Sequence, residues 1–156
     1  MHKLKYLGYD IVFQEIPDEV TLAINISGCP HKCEGCHSEY LWNYDGAFIS
    51  EDIDVLLDKY GRFITCVCFM GGDQNQNELL YLVNIVKRRG IRTALYSGCD
   101  CFEDIKKDLL CGLDYLKLGR YKKYLGGIDK PLSNQHLYKK VSNEFRDITD
   151  LLRNKL

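Results

Sequence analysis

The sequence predicts an α/β fold with about five βα units, arranged as an open, curved parallel sheet or as a partial (β/α) barrel. Short apolar segments rich in β-branched residues alternate with segments whose apolar residues recur at helical spacing. Such alternation is typical of right-handed βαβ units that share one sheet. About five strands in 156 residues are too few for a closed eight-stranded barrel, which takes about 250 residues. We therefore expect one domain over residues 1–156, with ligands at the carboxyl ends of its strands.

The first half of the chain predicts three strands and one helix around a cysteine-rich loop. β-branched and aromatic residues dominate the strand segments, which are residues 6–13, 20–27 and 62–70. The loop between the second strand and the helix spans residues 28–40. Ser50 is expected to cap the helix, which ends at Gly61, because acidic residues follow Ser50 and apolar residues then recur at helical spacing.

The second half continues the alternation. Its pattern predicts, in order, a helix at 78–89, a strand at 91–96, a helix at 102–110, a strand at 115–118, a loop at 119–135, a strand at 136–141 and a helix at 145–156. Three loops, which begin at Gly28, Gly71 and Ser97, each follow a strand and should meet at one edge of the sheet. This convergence predicts a single active site.

The charge balance narrows the choice of partners. A net charge of −1 and a pI near 6.4 give no electrostatic reason to expect nucleic acid or an anionic membrane as a partner. The sequence has no run of 18 apolar residues, so no membrane span is expected. The first residues lack the apolar segment of a secretory signal, and we therefore expect a cytoplasmic protein. Eight cysteines in such a chain indicate metal or redox chemistry rather than disulfides.

Three of these cysteines lie close together. Cys29, Cys33 and Cys36 have the spacing C-x3-C-x2-C, and no fourth cysteine continues a regular spacing. Three thiolates on a short loop can hold three irons of a [4Fe–4S] cluster and leave the fourth iron free for a substrate or cofactor. Two other interpretations remain open: a structural zinc site with His31 or His37 as its fourth ligand, and buried thiols that bind nothing.

The cysteine motif resembles the signature of the radical S-adenosylmethionine (SAM) superfamily. This resemblance implies a radical-SAM-like fold, a [4Fe–4S] cluster on Cys29, Cys33 and Cys36, and SAM chelated by the open iron. It also implies that the reduced cluster cleaves SAM to methionine and a 5′-deoxyadenosyl radical. The superfamily has a Gly-Gly-Glu-like turn that contacts the amino group of SAM. Its counterpart here is Gly71-Gly72-Asp73.

A narrower resemblance is to the anaerobic ribonucleoside-triphosphate reductase activating proteins. Four segments carry this likeness, which covers roughly residues 11–141: Cys33 to His37, Trp42, Asp114 to Tyr121, and Ser133 to Gln135. Three positions depart from the pattern. They are Gly35, where many superfamily members have an aromatic residue, Ser38, where the branch commonly has Asn, and Gln74, where it usually has Pro.

This resemblance implies an enzyme that installs a glycyl radical on a partner protein. The partner is expected to be the glycyl-radical subunit of anaerobic ribonucleoside-triphosphate reductase, with an external one-electron reductant. The implied cofactor-binding residues are Gly35, Cys36, His37, Gly71, Gly72, Asp73, Ser97 and Asn134. Two alternatives stay open: an activase of another glycyl-radical enzyme, of the formate-lyase type, and, outside enzymes, a zinc or electron-transfer module.

The other five cysteines have separate interpretations. Cys66 and Cys68 are two residues apart on a predicted strand and therefore share one face, which we expect to be buried. Cys99 and Cys101 follow a strand at the predicted active edge and are candidates for a second metal or a redox pair. Cys111 is expected to be buried.

Two further expectations concern the edge of the site. Lys117 lies at the end of a predicted strand, where a solvated side chain is favoured over an inward cation that steers a carboxylate. A partner protein is expected to dock through Trp42, Tyr44 and residues 119–135, because aromatic residues at a rim are good anchors. Trp42 is equally consistent with a place in the core.

Overall fold

The computed structural model describes residues 2–153, which contain eight strands in one sheet and four α-helices. The strands are β1 (Lys5–Val12), β2 (Thr21–Ile26), β3 (Ala47–Phe48), β4 (Cys66–Met70), β5 (Arg92–Tyr96), β6 (Tyr115–Leu118), β7 (His136–Val141) and β8 (Glu144–Asp147). The helices are α1 (Ile49–Tyr60), α2 (Gln76–Arg88), α3 (Lys107–Gly112) and α4 (Asp150–Arg153). No helix within residues 2–153 is long and apolar enough to span a bilayer.

The sheet is parallel only at its centre. Its strand order is β3-β1-β2-β4-β5-β6-β7-β8, and the pairings β2–β4, β4–β5 and β5–β6 are parallel. The pairings that involve β1 and β7 are antiparallel. The predicted α/β class is confirmed, and the predicted parallel sheet is confirmed for the central strands β2, β4, β5 and β6 only. Residues 13–20 and 119–135 contain no crossover helix, which parallel neighbours require.

Helices α1, α2 and α3 contribute to the larger core with one face of the sheet. Ile24, Phe69 and Leu95 lie on neighbouring central strands and share this core with Ile53 of α1 and Leu82 of α2, all at most 1% exposed. The apolar spacing that predicts α1 and α2 therefore marks the helix faces that are buried. This packing fixes the three crossover helices against the sheet.

The smaller core belongs to the opposite face. Cys66, Cys68, Ala94 and Tyr115 pack there, together with Leu152 of the short helix α4. Side chains two residues apart on a strand point to the same face, which explains why Cys66 and Cys68 are buried together, as predicted. The candidate functional site lies on this second face, at the carboxyl ends of the parallel strands.

Three predicted helix features are wrong. The segment 102–110 is not one helix: Phe102–Asp104 is a 3-10 turn, and α3 spans Lys107–Gly112. Helix α1 begins at Ile49 with Phe48 as its N-cap, so Ser50 lies inside the first turn. The segment 145–156 does not form one helix: Glu144–Asp147 is a strand that pairs with β7, and Asp150–Arg153 is a single helical turn. Residues 154–156 of the predicted helix lie outside the described residues.

Candidate metal and cofactor site

A cavity of about 240 Å³ lies at the carboxyl ends of the parallel strands. Each parallel strand contributes to its lining: Asn25 of β2, Met70 of β4, Tyr96 of β5 and Lys117 of β6, with Ile26 of β2 beside the first. The first four of these residues are successive register partners across the sheet, so they form a continuous floor. Met70 and Tyr96 also pack against the smaller core, which places the cavity on the face opposite α1 to α3.

The cysteine-rich loop forms one wall of this cavity. Cys29, Cys33 and Cys36 all line it, and all three are half-buried free thiols. A backbone hydrogen bond from Cys29 N to Leu41 O (3.0 Å) fixes the start of the loop. A second one, from Cys36 N to Cys33 O (3.2 Å), closes a turn between the last two cysteines. The loop therefore holds three sulfur ligands toward one space.

The electrostatics of these thiols favour a cationic occupant. Burial raises the pKa of the Cys33 thiol, and Cys29 and Cys36 raise it further, although the Tyr121 backbone and Arg120 lower it. A positively charged centre between the three sulfur atoms would offset this effect and stabilise the Cys33 thiolate. Iron–sulfur clusters use thiolate ligands, and the donor set of this loop fits such a cluster.

The Gly-Gly-Asp turn after β4 forms the next part of the wall. Gly71 and Gly72 have φ angles of +109° and +104°, a backbone region that favours glycine. A Cβ atom on Gly72 would lie 2.8 Å from Leu79 of α2, so a larger residue would also separate the turn from this helix. The turn presents Asp73 to the cavity with its side chain only 5% exposed.

Asp73 connects the cysteine loop to the end of β5. Its Oδ2 accepts hydrogen bonds from His31 Nε2 (2.7 Å) and Gly98 N (2.9 Å), and its Oδ1 accepts one from Ser97 Oγ (2.7 Å). Burial raises the pKa of Asp73, but these three hydrogen bonds outweigh burial and keep it below its ordinary value. The carboxylate is therefore ionised, and it holds three loops in one arrangement.

His31 is a residue of this network that the sequence analysis considered only as a zinc ligand. Its position between Cys29 and Cys33 of the motif is the sequence feature that could have placed it in the site. Its Nδ1 lies 3.5 Å from Arg120 Nη2, so Nε2 carries the proton donated to Asp73. The contact between His31 and Asp73 depends on the folded sheet, because the two residues follow different strands.

His31, Asp73 and Cys99 also form the one group within residues 2–153 whose potential metal-ligating atoms all lie within 4.8 Å of one another. We interpret this group as a hydrogen-bond network, because Asp73 already accepts three hydrogen bonds. Burial raises the pKa of the Cys99 thiol, and a hydrogen bond with Ser97 acts in the opposite direction. Cys101, its predicted companion, is exposed and belongs to the cap of a short 3-10 turn.

The other predicted cofactor residues divide into two groups. His37 and Ser97 line the cavity, whereas Gly35 and Asn134 do not belong to its lining within residues 2–153. Gly35 has a φ of +73° and faces Lys123, which would lie 2.9 Å from an added Cβ. The Asn134 side chain donates to Arg120 O, within the same loop, at 3.0 Å. Both residues therefore shape the loops around the site.

Trp42 also lines the cavity, and it is half-buried. Its Nε1 is a buried donor with no partner within residues 2–153. Tyr44, its predicted companion at a docking rim, is 42% exposed and donates its hydroxyl to Lys3 O at 2.7 Å. The two aromatic residues thus have different places: one in the wall of the site and one outside it.

One cysteine prediction is wrong. Cys111 is exposed, because it lies on α3 between Leu109 and Gly112, which are the buried positions of that helix. Positions three apart share a helix face, and Cys111 is on the other side. It is a free thiol outside the cavity lining and so offers a control for the three loop cysteines.

Lys117 is buried, so the prediction of a solvated side chain is wrong. Strand β6 lies between β5 and β7, and all four of its residues are buried. The Nζ atom of Lys117 donates to Ser97 O (2.9 Å) and to Gly119 O (2.8 Å). Burial lowers the pKa of Lys117 to about 8, although Asp73 and Cys33 act in the opposite direction.

Comparisons with known proteins agree with the chemistry of this site. Residues 20–139 match the family described as "4Fe-4S single cluster domain". The chain is also 34% identical over 110 residues to the "Anaerobic ribonucleoside-triphosphate reductase-activating protein" of Enterobacteria phage T4. The matched segment covers 64% of this chain and 70% of that protein. No solved structure matches the chain. The resemblance found in the sequence is confirmed: the chain belongs to the 4Fe-4S single cluster domain family and to the family of the anaerobic ribonucleoside-triphosphate reductase-activating proteins.

Proposed function

We propose that the chain is a SAM-dependent iron–sulfur activase that installs a glycyl radical on anaerobic ribonucleoside-triphosphate reductase. The observation that carries this proposal is that Cys29, Cys33 and Cys36 share one cavity with Asp73. In the proposal, the three cysteines hold a [4Fe–4S] cluster. When bound and reduced by an external one-electron donor, the cluster supplies the electron that cleaves SAM to methionine and a 5′-deoxyadenosyl radical, which then removes a hydrogen atom from a glycine Cα of the partner.

Asp73 is suited to accept a hydrogen bond from the ammonium group of SAM. A carboxylate offers about four acceptor positions on its two oxygens. Asp73 uses three of them, and its Oδ1 accepts only the bond from Ser97. The remaining position on Oδ1 can take a charge-assisted hydrogen bond from an ammonium. Gly71, Gly72, Ser97 and His37 complete the proposed SAM-binding wall, in which the glycines permit close approach of the backbone.

The position of the cavity gives a reason to expect that the partner protein covers the site. A radical must be kept from water, and the cavity lies at the edge of a single sheet. Beside it, residues 119–135 carry Tyr124 and Leu132, which are 81% and 80% exposed, while Tyr121 lines the cavity itself. Such exposed apolar side chains favour a protein contact. We propose that the reductase docks here, in anaerobic cytoplasm, and supplies both the cover and the reacting glycine.

The first experiment tests the cluster ligands. Cys29, Cys33 and Cys36 are replaced one at a time by Ala, with Cys111→Ala as the matched control, and each protein is reconstituted anaerobically with iron and sulfide. We expect the control to bind about four irons per chain and to be brown, and each loop variant to lose the cluster, because two thiolates are too few to anchor it. Full cluster content in a loop variant removes that cysteine from the ligand set. A colourless zinc protein in place of the control overturns the enzyme assignment.

The second experiment tests the reaction. With reductant and SAM alone, we expect slow, uncoupled release of 5′-deoxyadenosine. Addition of the reductase should accelerate cleavage and give a glycine-centred doublet in the paramagnetic resonance spectrum, which is absent when that glycine is replaced by Ala. Tyr124→Ser should lower the yield at limiting reductase, whereas Phe63→Ser should not, because Phe63 is also highly exposed but precedes the amino end of β4. A doublet on a formate-lyase and none on the reductase would transfer the assignment to that partner.

A further inference from the structure

Lys117 is a buried cation in the floor of the proposed cluster cavity. The residue is 8% exposed, and it lines the cavity together with the three loop cysteines. Within residues 2–153 no carboxylate forms an ion pair with it. Its two hydrogen bonds go to neutral backbone carbonyls, at Ser97 and Gly119. A buried ammonium without a counter-ion is costly, so an anion is needed to offset it.

Several groups that can carry a negative charge act on Lys117, and two of them line the same cavity. Asp73, Cys33, Asp100 and Cys29 all favour its protonated form. Within residues 2–153 neither carboxylate forms an ion pair with Lys117: Asp73 accepts its three hydrogen bonds from His31, Ser97 and Gly98, and Asp100 accepts one from Arg120 N at 2.9 Å. Cys29 and Cys33 line the same cavity as Lys117, and they gain a negative charge when a metal centre holds them as thiolates.

We infer that Lys117 is the counter-charge of the cluster, and that its ammonium offsets the negative charge of the Cys29 and Cys33 thiolates. This inference rests on the proposed function for the presence of the cluster. Reduction adds one electron from the external donor and makes the centre more anionic. A fixed cation in a site of low dielectric constant stabilises that form more than the oxidised one. Lys117 therefore sets how readily the cluster is reduced, as a positioning charge rather than a catalytic residue.

The test compares three variants of the reconstituted protein in the absence of SAM. Lys117→Met removes the charge and keeps the length of the side chain, Lys117→Arg keeps the charge, and Lys107→Met removes an exposed lysine from α3 as a control. The reduced fraction is measured by paramagnetic resonance at a series of fixed potentials. We expect Lys117→Met to lower the ratio of reduced to oxidised cluster about tenfold at a given potential, which is about 59 mV for one electron. Lys117→Arg and Lys107→Met should shift it much less.

Each outcome decides the question. A midpoint potential in Lys117→Met equal to that of Lys107→Met overturns the inference, and so does a loss of SAM affinity without a change in potential, which would assign Lys117 to the SAM carboxylate. If Lys117→Met does not fold, Lys117→Gln replaces it, because its neutral amide can still donate to the Ser97 carbonyl. A wild-type chain that binds no cluster contradicts the proposed function itself, whereas a normal cluster with an unshifted potential contradicts only the role of Lys117.

Discussion

The contact between Gly98 and His31 allows the geometry of the site to be tested by adding one methyl group. A Cβ atom at position 98 would lie 2.5 Å from His31 Cδ2 and 2.9 Å from its Nε2. Gly98 does not have the positive φ that favours glycine, so the backbone tolerates Ala, and the three nearest atoms to the added Cβ all belong to His31. We expect Gly98→Ala to displace the imidazole and to break its hydrogen bond to Asp73.

The expected loss of stability follows from the interactions that displacement of the His31 ring removes. A hydrogen bond to a charged group contributes about 1.5–3 kcal/mol, and overpacking of a tight contact costs about 1–3 kcal/mol. Because movement of the ring relieves the overpacking at the expense of the bond, the two costs do not add. The free energy of unfolding should therefore fall by about 1.5–3 kcal/mol. Gly127→Ala is the matched control, since its φ is also ordinary and its nearest contact is the flexible Asp129 Oδ1 at 3.3 Å.

The assay is denaturant unfolding of the metal-free chain under anaerobic, reducing conditions, analysed as a double-mutant cycle. His31→Ala removes both the ring and its hydrogen bond. In that background Gly98→Ala should cost less than about 0.5 kcal/mol, because the ring atoms nearest to the methyl group are then absent. The reasoning is refuted if Gly98→Ala costs no more than Gly127→Ala, or if it costs the same with and without His31.

Three further predictions concern the cofactor, the cavity and the dependence of stability on pH. Asp73→Asn should weaken SAM binding about 10- to 150-fold, the equivalent of about 1.5–3 kcal/mol, with unchanged iron content; unaltered affinity by equilibrium dialysis would reduce the turn to a structural role. The only tryptophan of the chain, Trp42, lines the cavity, so its fluorescence should be quenched when the cluster is loaded and recover on chelation, and equal emission in both states would count against the location. The Glu19 side chain is 4% exposed; burial raises its pKa, but hydrogen bonds from Arg92 (2.7 Å) and Tyr115 (2.6 Å) help to keep it below 4.5. Because the pKa of Glu19 is lower in the folded than in the unfolded chain, the ionised carboxylate stabilises the fold, and wild type should be more stable than Glu19→Gln by about 1.5 kcal/mol above pH 4.5. This difference should shrink as the pH falls through the folded pKa. A difference independent of pH would contradict this.

The sequence predicted the parallel centre of the sheet better than its edges. Strands β6 and β7 have the predicted bounds, whereas the edge strands β3 and β8 were not predicted. The apolar faces of α1 and α2 are buried as expected, because these helices carry a strong periodic pattern. Strand β8 was missed because a two-residue hairpin replaces the expected loop before a helix. Ser142 and Asn143 have φ angles of 51° and 66°, and Val141 pairs with Glu144. Turns of this kind are usually marked by Gly, which is missing here.

The site was predictable as a set of loops but not as a set of contacts. The motif and the edge of the sheet identify the cysteine loop and Asp73, since loops after parallel strands converge. The burial of Lys117 was not accessible in the same way. Strand β6 is buried on both faces, so apolar alternation does not show which residues point toward the cavity. Only the register, which aligns Lys117 with Tyr96, puts the lysine in the floor of the site.

The side of the sheet on which the site lies follows from topology. The central strands run in the order β2, β4, β5 and β6, so the chain always moves in the same direction across the sheet. Right-handed crossovers that proceed in one direction place every connecting helix on the same face. Helices α1, α2 and α3 accordingly share one core, and the carboxyl ends of the strands remain free on the other face. A sheet whose strand order reversed would bury both faces under helices. The single direction of this chain leaves one face for the cluster, for SAM and for the partner's glycine in the proposed reaction.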